Sequence, residues 1–254
     1  MELTPLEWIV AIGASLVGFL VSSTTGIGGA LILVPVLSHI IPASEAVALA
    51  TPVMLVNNVT KYLVLRRHLH KRAFWLSAAT SVPFAIVGAM LIGVVPEAWL
   101  RAGIGVFMVL YSVAGLWRSF YPAPPRPPTS ELADKRRREG ALLGWGVATG
   151  LASGIVAAGG PPNAVALRTY GLVREAFVAT GAVISILMQL TKLPVYIANG
   201  ALPMKDLPLG LALCAAALVA ANTGARMLGR ISPVVFERLL LVVLLVLGVS
   251  MAMP

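Results

Sequence analysis

Two lysines lie within long apolar stretches of the chain, each preceded by amide and hydroxyl side chains. Lys61 and Lys192 are 131 positions apart. A lysine is costly in a stretch that crosses a membrane, so it usually has a partner or a function. We expect the two ammonium groups to attract an anion; the alternative is that each reaches the headgroups from near its helix end. The preceding side chains could orient an anion or bind neighbouring helices together. These are Asn58, Thr60, Gln189 and Thr191.

Two glycine-rich interruptions break apolar segments, at 22–29 (SSTTGIGG) and at 153–163 (SGIVAAGGPPN). In lipid, a broken helix is tolerated only where it is buried in protein or lines a polar cavity. A helix that restarts at the prolines would direct its electropositive end into the break and favour an anion there. The alternative is that these small residues only allow close helix packing. The candidate anion-binding residues at the interruptions are Thr25, Gly26, Gly28, Gly29, Gly159, Gly160 and Asn163.

Acidic residues and histidines lie at the ends of apolar segments or in loops, not in their centres. Proton relays and sites for hard cations in membranes need acidic oxygens in the interior. Cys214 is the only cysteine, which disfavours a thiolate metal site. We therefore expect no catalytic residues, no metal site and no cofactor, and the sequence does not predict an enzyme.

The composition is that of a membrane protein. Hydrophobic residues make up 58% and charged residues 11% of the 254 positions, whereas soluble domains carry about 25% charged residues. The apolar runs are about 20 residues long, which is the length of a membrane-spanning helix. The net charge of +9 comes from basic residues clustered in loops, so we expect contact with a lipid bilayer and no nucleic acid. The predicted fold class is an all-α polytopic membrane protein.

Several motifs recur in the same order along the two halves of the chain. Gly28-Gly29 corresponds to Gly159-Gly160, and the segment 58–61 (NVTK) corresponds to 189–192 (QLTK). The separations stay between about 130 and 137 positions, which indicates a duplicated unit. We predict an N-terminal repeat at 1–118, a Pro-rich basic linker at 119–139 and a C-terminal repeat at 140–254. Each repeat would contain a Gly-broken helical hairpin followed by three transmembrane helices.

The distribution of basic residues favours inverted repeats. Suppose that the basic loop 66–72 and the linker lie in the cytoplasm. If the broken segment of the second half forms a hairpin that returns to the cytoplasmic side, five later arginines lie at the inner face, in agreement with the positive-inside rule. A single crossing would move them outside. Arg101, near an outer turn, does not fit this arrangement. The N-terminus is then periplasmic and the linker cytoplasmic. The five arginines are Arg168, Arg174, Arg226, Arg230 and Arg238.

The chain resembles the TauE/SafE family of sulfite-exporter-like membrane permeases. The resemblance lies in 26–35 (GIGGALILVP), 150–154 (GLASG) and 159–162 (GGPP), and in the two-repeat layout around a hydrophilic linker. Ala30 and Ala157 occupy positions where we expect glycine. The resemblance implies transport of sulfite, sulfonates or related small organic anions across the bacterial inner membrane by a multi-pass protein.

Together, the residues and the resemblance predict a secondary transporter, in the direction of export, for small sulfur-containing anions. Sulfite or a two-carbon sulfonate resembling sulfoacetate would bind between the two Gly-rich interruptions. One alternative is a transporter or importer of small carboxylates or inorganic sulfur anions. Another, of a different class, is a membrane scaffold or sensor that transports nothing. The sequence leaves the coupling ion and the oligomeric state open, with a homodimer as one arrangement.

Overall fold

The computed structural model describes residues 3–25, 29–121, 131–227 and 233–252. Within these ranges the regular secondary structure is entirely helical. Seven of the described helices are long and apolar enough to cross a membrane. These findings confirm the predicted all-α polytopic class.

Each half contains a long helix, a short helix and three more long helices. In the first half these are α1 (Pro5–Thr25), α2 (Gly29–Leu37), α3 (Ala43–Leu65), α4 (Lys71–Ile92) and α5 (Glu97–Phe120). In the second half they are α6 (Glu131–Val156), α7 (Gly160–Tyr170), α8 (Arg174–Ala198), α9 (Leu207–Met227) and α10 (Pro233–Ala252). Short 3-10 turns at Arg66–His68 and Met204–Asp206 precede α4 and α9.

The short helices α2 and α7 cannot cross a bilayer by themselves. They have 9 and 11 residues, or about 14 and 17 Å of length at 1.5 Å per residue, against about 30 Å of hydrocarbon. α2 packs against α1, and α7 packs against α6. Each short helix therefore returns part of the way along the long helix that precedes it.

The basic end of the predicted linker is helical. α5 continues to Phe120 and α6 already begins at Glu131, so much of the predicted segment 119–139 belongs to these two helices. Arg138 pairs with Asp134 one turn earlier, at 2.5 Å. Such charged residues are good or neutral helix formers once the prolines have ended. Residues 122–130, which contain those prolines, lie outside the described ranges.

The main helix contacts keep their pattern when each helix is exchanged for its counterpart in the other half. α4 packs on α6 as α1 packs on α9, while α3 crosses α8 and α5 packs on α10. At the α3–α8 crossing, Asn58 Nδ2 donates to Ser185 Oγ at 3.1 Å. Gln189 Nε2 donates to Met54 Sδ at 3.4 Å. Because position 54 meets 189 and position 58 meets 185, α3 and α8 run antiparallel.

Glycines bring the backbones of α4 and α6 into direct contact. A Cβ atom on Gly150 would lie 2.8 Å from the backbone nitrogen of Ala85, and one on Gly154 would lie 2.7 Å from that of Ala89. Real Cβ atoms do not approach backbone atoms so closely. This contact holds α6 firmly up to the point where the second interruption begins.

Candidate functional site

The second interruption separates α6 from α7 by three residues, Ala157 to Gly159. Ala157 has φ of +53°, a left-handed conformation that costs a residue with a Cβ roughly 1–2 kcal/mol. A Cβ on Gly159 would lie 2.7 Å from the Cβ of Ser153. α7 then begins at Gly160, with prolines in its first turn where their missing N–H groups cost nothing. The backbone donors available at this helix start are therefore fewer than in an ordinary helix.

The last turns of α6 leave carbonyl groups without intrahelical partners. Two side chains of α8 supply donors. Lys192 Nζ donates to Ser153 O at 2.8 Å and to Ser153 Oγ at 2.9 Å. The Tyr196 hydroxyl donates to Gly154 O at 2.5 Å. A cation near a helix C-terminus is also stabilised by the helix dipole, so in this structure Lys192 holds the end of α6.

The first interruption is flanked by an equivalent lysine–serine pair. α1 ends at Thr25 and α2 begins at Gly29. Lys61 Nζ donates to Ser22 Oγ at 2.8 Å, and Asn57 Nδ2 lies 3.4 Å from the same oxygen. Both members of the Lys61–Ser22 pair lie 131 positions before their counterparts in the Lys192–Ser153 pair.

A cavity of about 50 Å³ joins the flanks of both interruptions. At roughly 10–15 Å³ per water measured in this way, the volume corresponds to about four water molecules. Both hairpins contribute to the wall, as do α3 and α8. The polar or glycine residues that line the cavity include Ser22, Gly29, Asn57, Asn58, Lys61, Ser153, Gly159, Gly160, Asn163, Gly181 and Ser185.

Lys61 is the sole ionisable side chain among the described residues that line this cavity. The ion pairs found in the described ranges involve other residues, such as Arg72 with Glu139 and Lys205 with Glu45. An ammonium group without a carboxylate partner in a mostly buried cavity is costly. A negatively charged guest in the cavity would compensate this positive charge.

The model of the sulfite exporter family TauE/SafE matches residues 10–251, which is nearly the whole chain. The chain belongs to the TauE/SafE family. This confirms the resemblance on which the sequence prediction relied. The family consists of sulfite- and sulfonate-exporter-type transporters with membrane helices, not of enzymes. Comparison with curated proteins and with solved structures found no significant match.

About half of the predicted binding residues meet at the cavity of this TauE/SafE protein. Asn163 is buried, and its Oδ1 atom has no hydrogen-bond partner among the described residues. The predicted residues that line the cavity are Gly29, Asn58, Lys61, Gly159, Gly160 and Asn163. Gly26, Gly28 and the side chain of Thr25 lie outside what the structure describes.

Four other predicted residues make contacts within the protein instead. Gln189 and Lys192 are fully buried and are not among the residues that line the cavity. The hydroxyl groups of Thr60 and Thr191 donate to carbonyls of their own helices, Thr60 to Val56 O at 2.9 Å and Thr191 to Leu187 O at 3.1 Å. Such bonds are the usual alternative for a threonine within a helix.

Three serines take part in the site although the sequence analysis did not name them as binding residues. Ser22 and Ser153 each accept a hydrogen bond from a lysine. They are 131 positions apart, as the two lysines are, so the repeat pattern could have indicated both serines. Ser185 accepts from Asn58. The position equivalent to Ser185 in the first half is Met54, so the repeat carried no signal for it.

Replacing Ala157 with glycine is expected to stabilise the protein by about 0.5–1 kcal/mol, because relief of the left-handed strain exceeds the added entropy of the unfolded chain. The midpoint of thermal unfolding in detergent measures this. Ala158→Gly is the matched control: Ala158 is also buried but has no positive φ, so its replacement should lower the midpoint. A lower midpoint for Ala157→Gly would contradict the prediction.

Proposed function

We propose that this TauE/SafE protein is a secondary transporter that binds a small sulfur oxyanion in the cavity between its two interruptions. The observation that carries the proposal is Lys61, an ammonium group with no carboxylate partner among the described residues, in the wall of a cavity that both hairpins share. The family description supports the substrate class and favours export.

The donors around the cavity suit an oxyanion. Among the described residues the Lys61 ammonium has one hydrogen bond, to Ser22, which leaves further N–H groups for a ligand. The amide oxygen of Asn163 has no partner within the described ranges, and since this residue lines the cavity, its amide could donate through its NH₂ group to a bound anion. The N-terminal end of α7 adds the positive end of its dipole. Several hydrogen-bond donors of moderate strength around one anion allow its release as well as its binding.

The size of the cavity favours a compact anion. Sulfite has four non-hydrogen atoms, which agrees with a space for about four waters. Sulfoacetate is roughly twice as large, so its binding would require the cavity to widen. Sulfite is therefore the substrate that we favour, with two-carbon sulfonates next.

We infer that the two halves are inverted repeats with a periplasmic N-terminus and a cytoplasmic linker in the bacterial inner membrane. The antiparallel crossing of α3 and α8 supports the inversion, because these helices occupy equivalent positions in the two halves. The positive-inside argument supports the orientation. Under this assignment the end of the bundle formed by the C-terminus of α3 and the N-terminus of α8 faces the cytoplasm.

The test is flux into proteoliposomes that contain the purified protein. We expect saturable uptake of radiolabelled sulfite, with inhibition by sulfoacetate and weaker inhibition by acetate. Stronger inhibition by acetate would favour a carboxylate transporter. Protein-free liposomes are the control for leakage. Absence of saturable flux for all these anions would overturn the proposal and favour a scaffold or sensor.

A further inference from the structure

Equivalent surfaces of α3 and α8 differ sharply in exposure. On α8, Phe177, Val178 and Gly181 line the cavity and are partly exposed. The positions 131 residues earlier, on α3, are Ala46, Val47 and Ala50. All three have an exposed fraction of 0%.

The two lysines also differ in exposure, and again the residue in one half is open while its counterpart is buried. Lys61 lines the cavity and donates one hydrogen bond within the part of the chain that the structure describes. Lys192 is fully buried, donates two hydrogen bonds to Ser153 and lies 5.7 Å from the centroid of the Tyr196 ring. Asn58 lines the cavity, whereas its equivalent Gln189 is fully buried. One lysine site is thus open while its counterpart is closed.

The open and closed surfaces lie toward opposite ends of the bundle. His70 N–H donates to Thr180 Oγ1 at 3.1 Å, which marks the end of the bundle toward which Phe177 and Gly181 lie. Lys205 contacts Glu45 at 3.1 Å, which marks the opposite end, next to Ala46 and Ala50. As far as the described residues show, the cavity therefore extends toward one end, and the equivalent residues toward the other end are closely packed.

We propose that the chain has a second anion half-site, built around Lys192 and Ser153 and closed in this structure, which opens when the half-site at Lys61 closes. This inference rests on the proposed transport function. The walls of the second half-site would be α2 and the first half of α3, the counterparts of α7 and the first half of α8. On opening, the oxygens of the anion replace those of Ser153 as acceptors for the Lys192 ammonium.

The two half-sites are not chemically equal. Asn163, in the wall of the open half-site, corresponds to Ile32 on α2. Ile32 has no hydrogen-bond donor in its side chain. The anion therefore has one donor fewer at Lys192 and binds there more weakly, which favours release on that side of the membrane.

The test is the accessibility of introduced cysteines to a membrane-impermeant thiol reagent in oriented vesicles. Cys214 is first replaced by serine, since it is the only native cysteine. Gly181→Cys should react from the side of the Arg66–His68 turn. Ala50→Cys should react from the opposite side only, and about tenfold faster than the control Ala48→Cys, because a minor open state of about 1–10% suffices for labelling. Ala48 and its equivalent Ala179 are fully buried and are not lining residues of the cavity.

Saturating sulfite on both sides should change the labelling rates of Ala50→Cys and Gly181→Cys in opposite directions. Labelling of Ala50→Cys no faster than that of Ala48→Cys, or from the same side as Gly181→Cys, would overturn the inference.

If Ala50→Cys does not fold, Thr51→Cys serves instead, with Ala182→Cys as its equivalent. If the wild type transports sulfite but Ala50 stays sealed, this inference fails and the proposed function stands. If labelling alternates between sides without anion flux, the proposed function fails instead.

Discussion

Replacing Lys61 with methionine is expected to reduce saturable sulfite flux strongly and to leave the fold intact. Methionine keeps most of the apolar stem but removes the one positive charge among the described residues that line the cavity. A charged hydrogen bond contributes about 1.5–3 kcal/mol, which corresponds to roughly 10- to 150-fold weaker binding. The measurement is flux in proteoliposomes together with sulfite titration of the purified variant.

The fold should tolerate this change because the partner of Lys61 is not left alone. Ser22 Oγ retains the amide of Asn57, which lies 3.4 Å away. Lys205→Met is the matched control, since Lys205 is exposed and pairs with Glu45 at a helix end. We expect near-normal flux from this control. An unchanged sulfite affinity in Lys61→Met would contradict a binding role for Lys61. It would favour the alternative that this lysine reaches the lipid headgroups.

The features that sequence could predict are those set by local chemistry. Apolar run length determines which helices can cross a membrane, and seven described helices meet that requirement. The prolines at 161 and 162 suit only the first turn of a helix, and α7 begins at Gly160. The sequence also drew attention to Lys61 and Asn163, which line the cavity, because polar residues in apolar stretches are rare; their role in binding stays a prediction.

The features that sequence could not predict depend on which helix packs against which. Lys61 and Lys192 follow nearly the same local pattern, yet one lines the cavity and the other holds the end of α6. That difference comes from the packing of the surrounding helices in this conformation. The role of Ser185 depends likewise on the crossing of α3 and α8, which brings Asn58 to it.

Replacing Lys192 with methionine is expected to destabilise the protein by about 2–4 kcal/mol, because it leaves buried acceptors of Ser153 without their donor. The sequence alone predicts that the Lys192 ammonium attracts an anion. The hydrogen bonds at the end of α6 predict a structural effect in addition. For a chain of this size we expect the midpoint of thermal unfolding to fall by about 5–10 °C.

Lys61→Met is the matched control for this effect, because the substitution is the same and the surrounding sequence motif is similar in the two halves. Lys61 is only partly buried, and among the residues described it bonds one side-chain oxygen, so its replacement should shift the midpoint much less. Equal shifts for the two variants would contradict the structural role of Lys192. The comparison thus separates a lysine that holds a helix end from one that is free to meet a ligand.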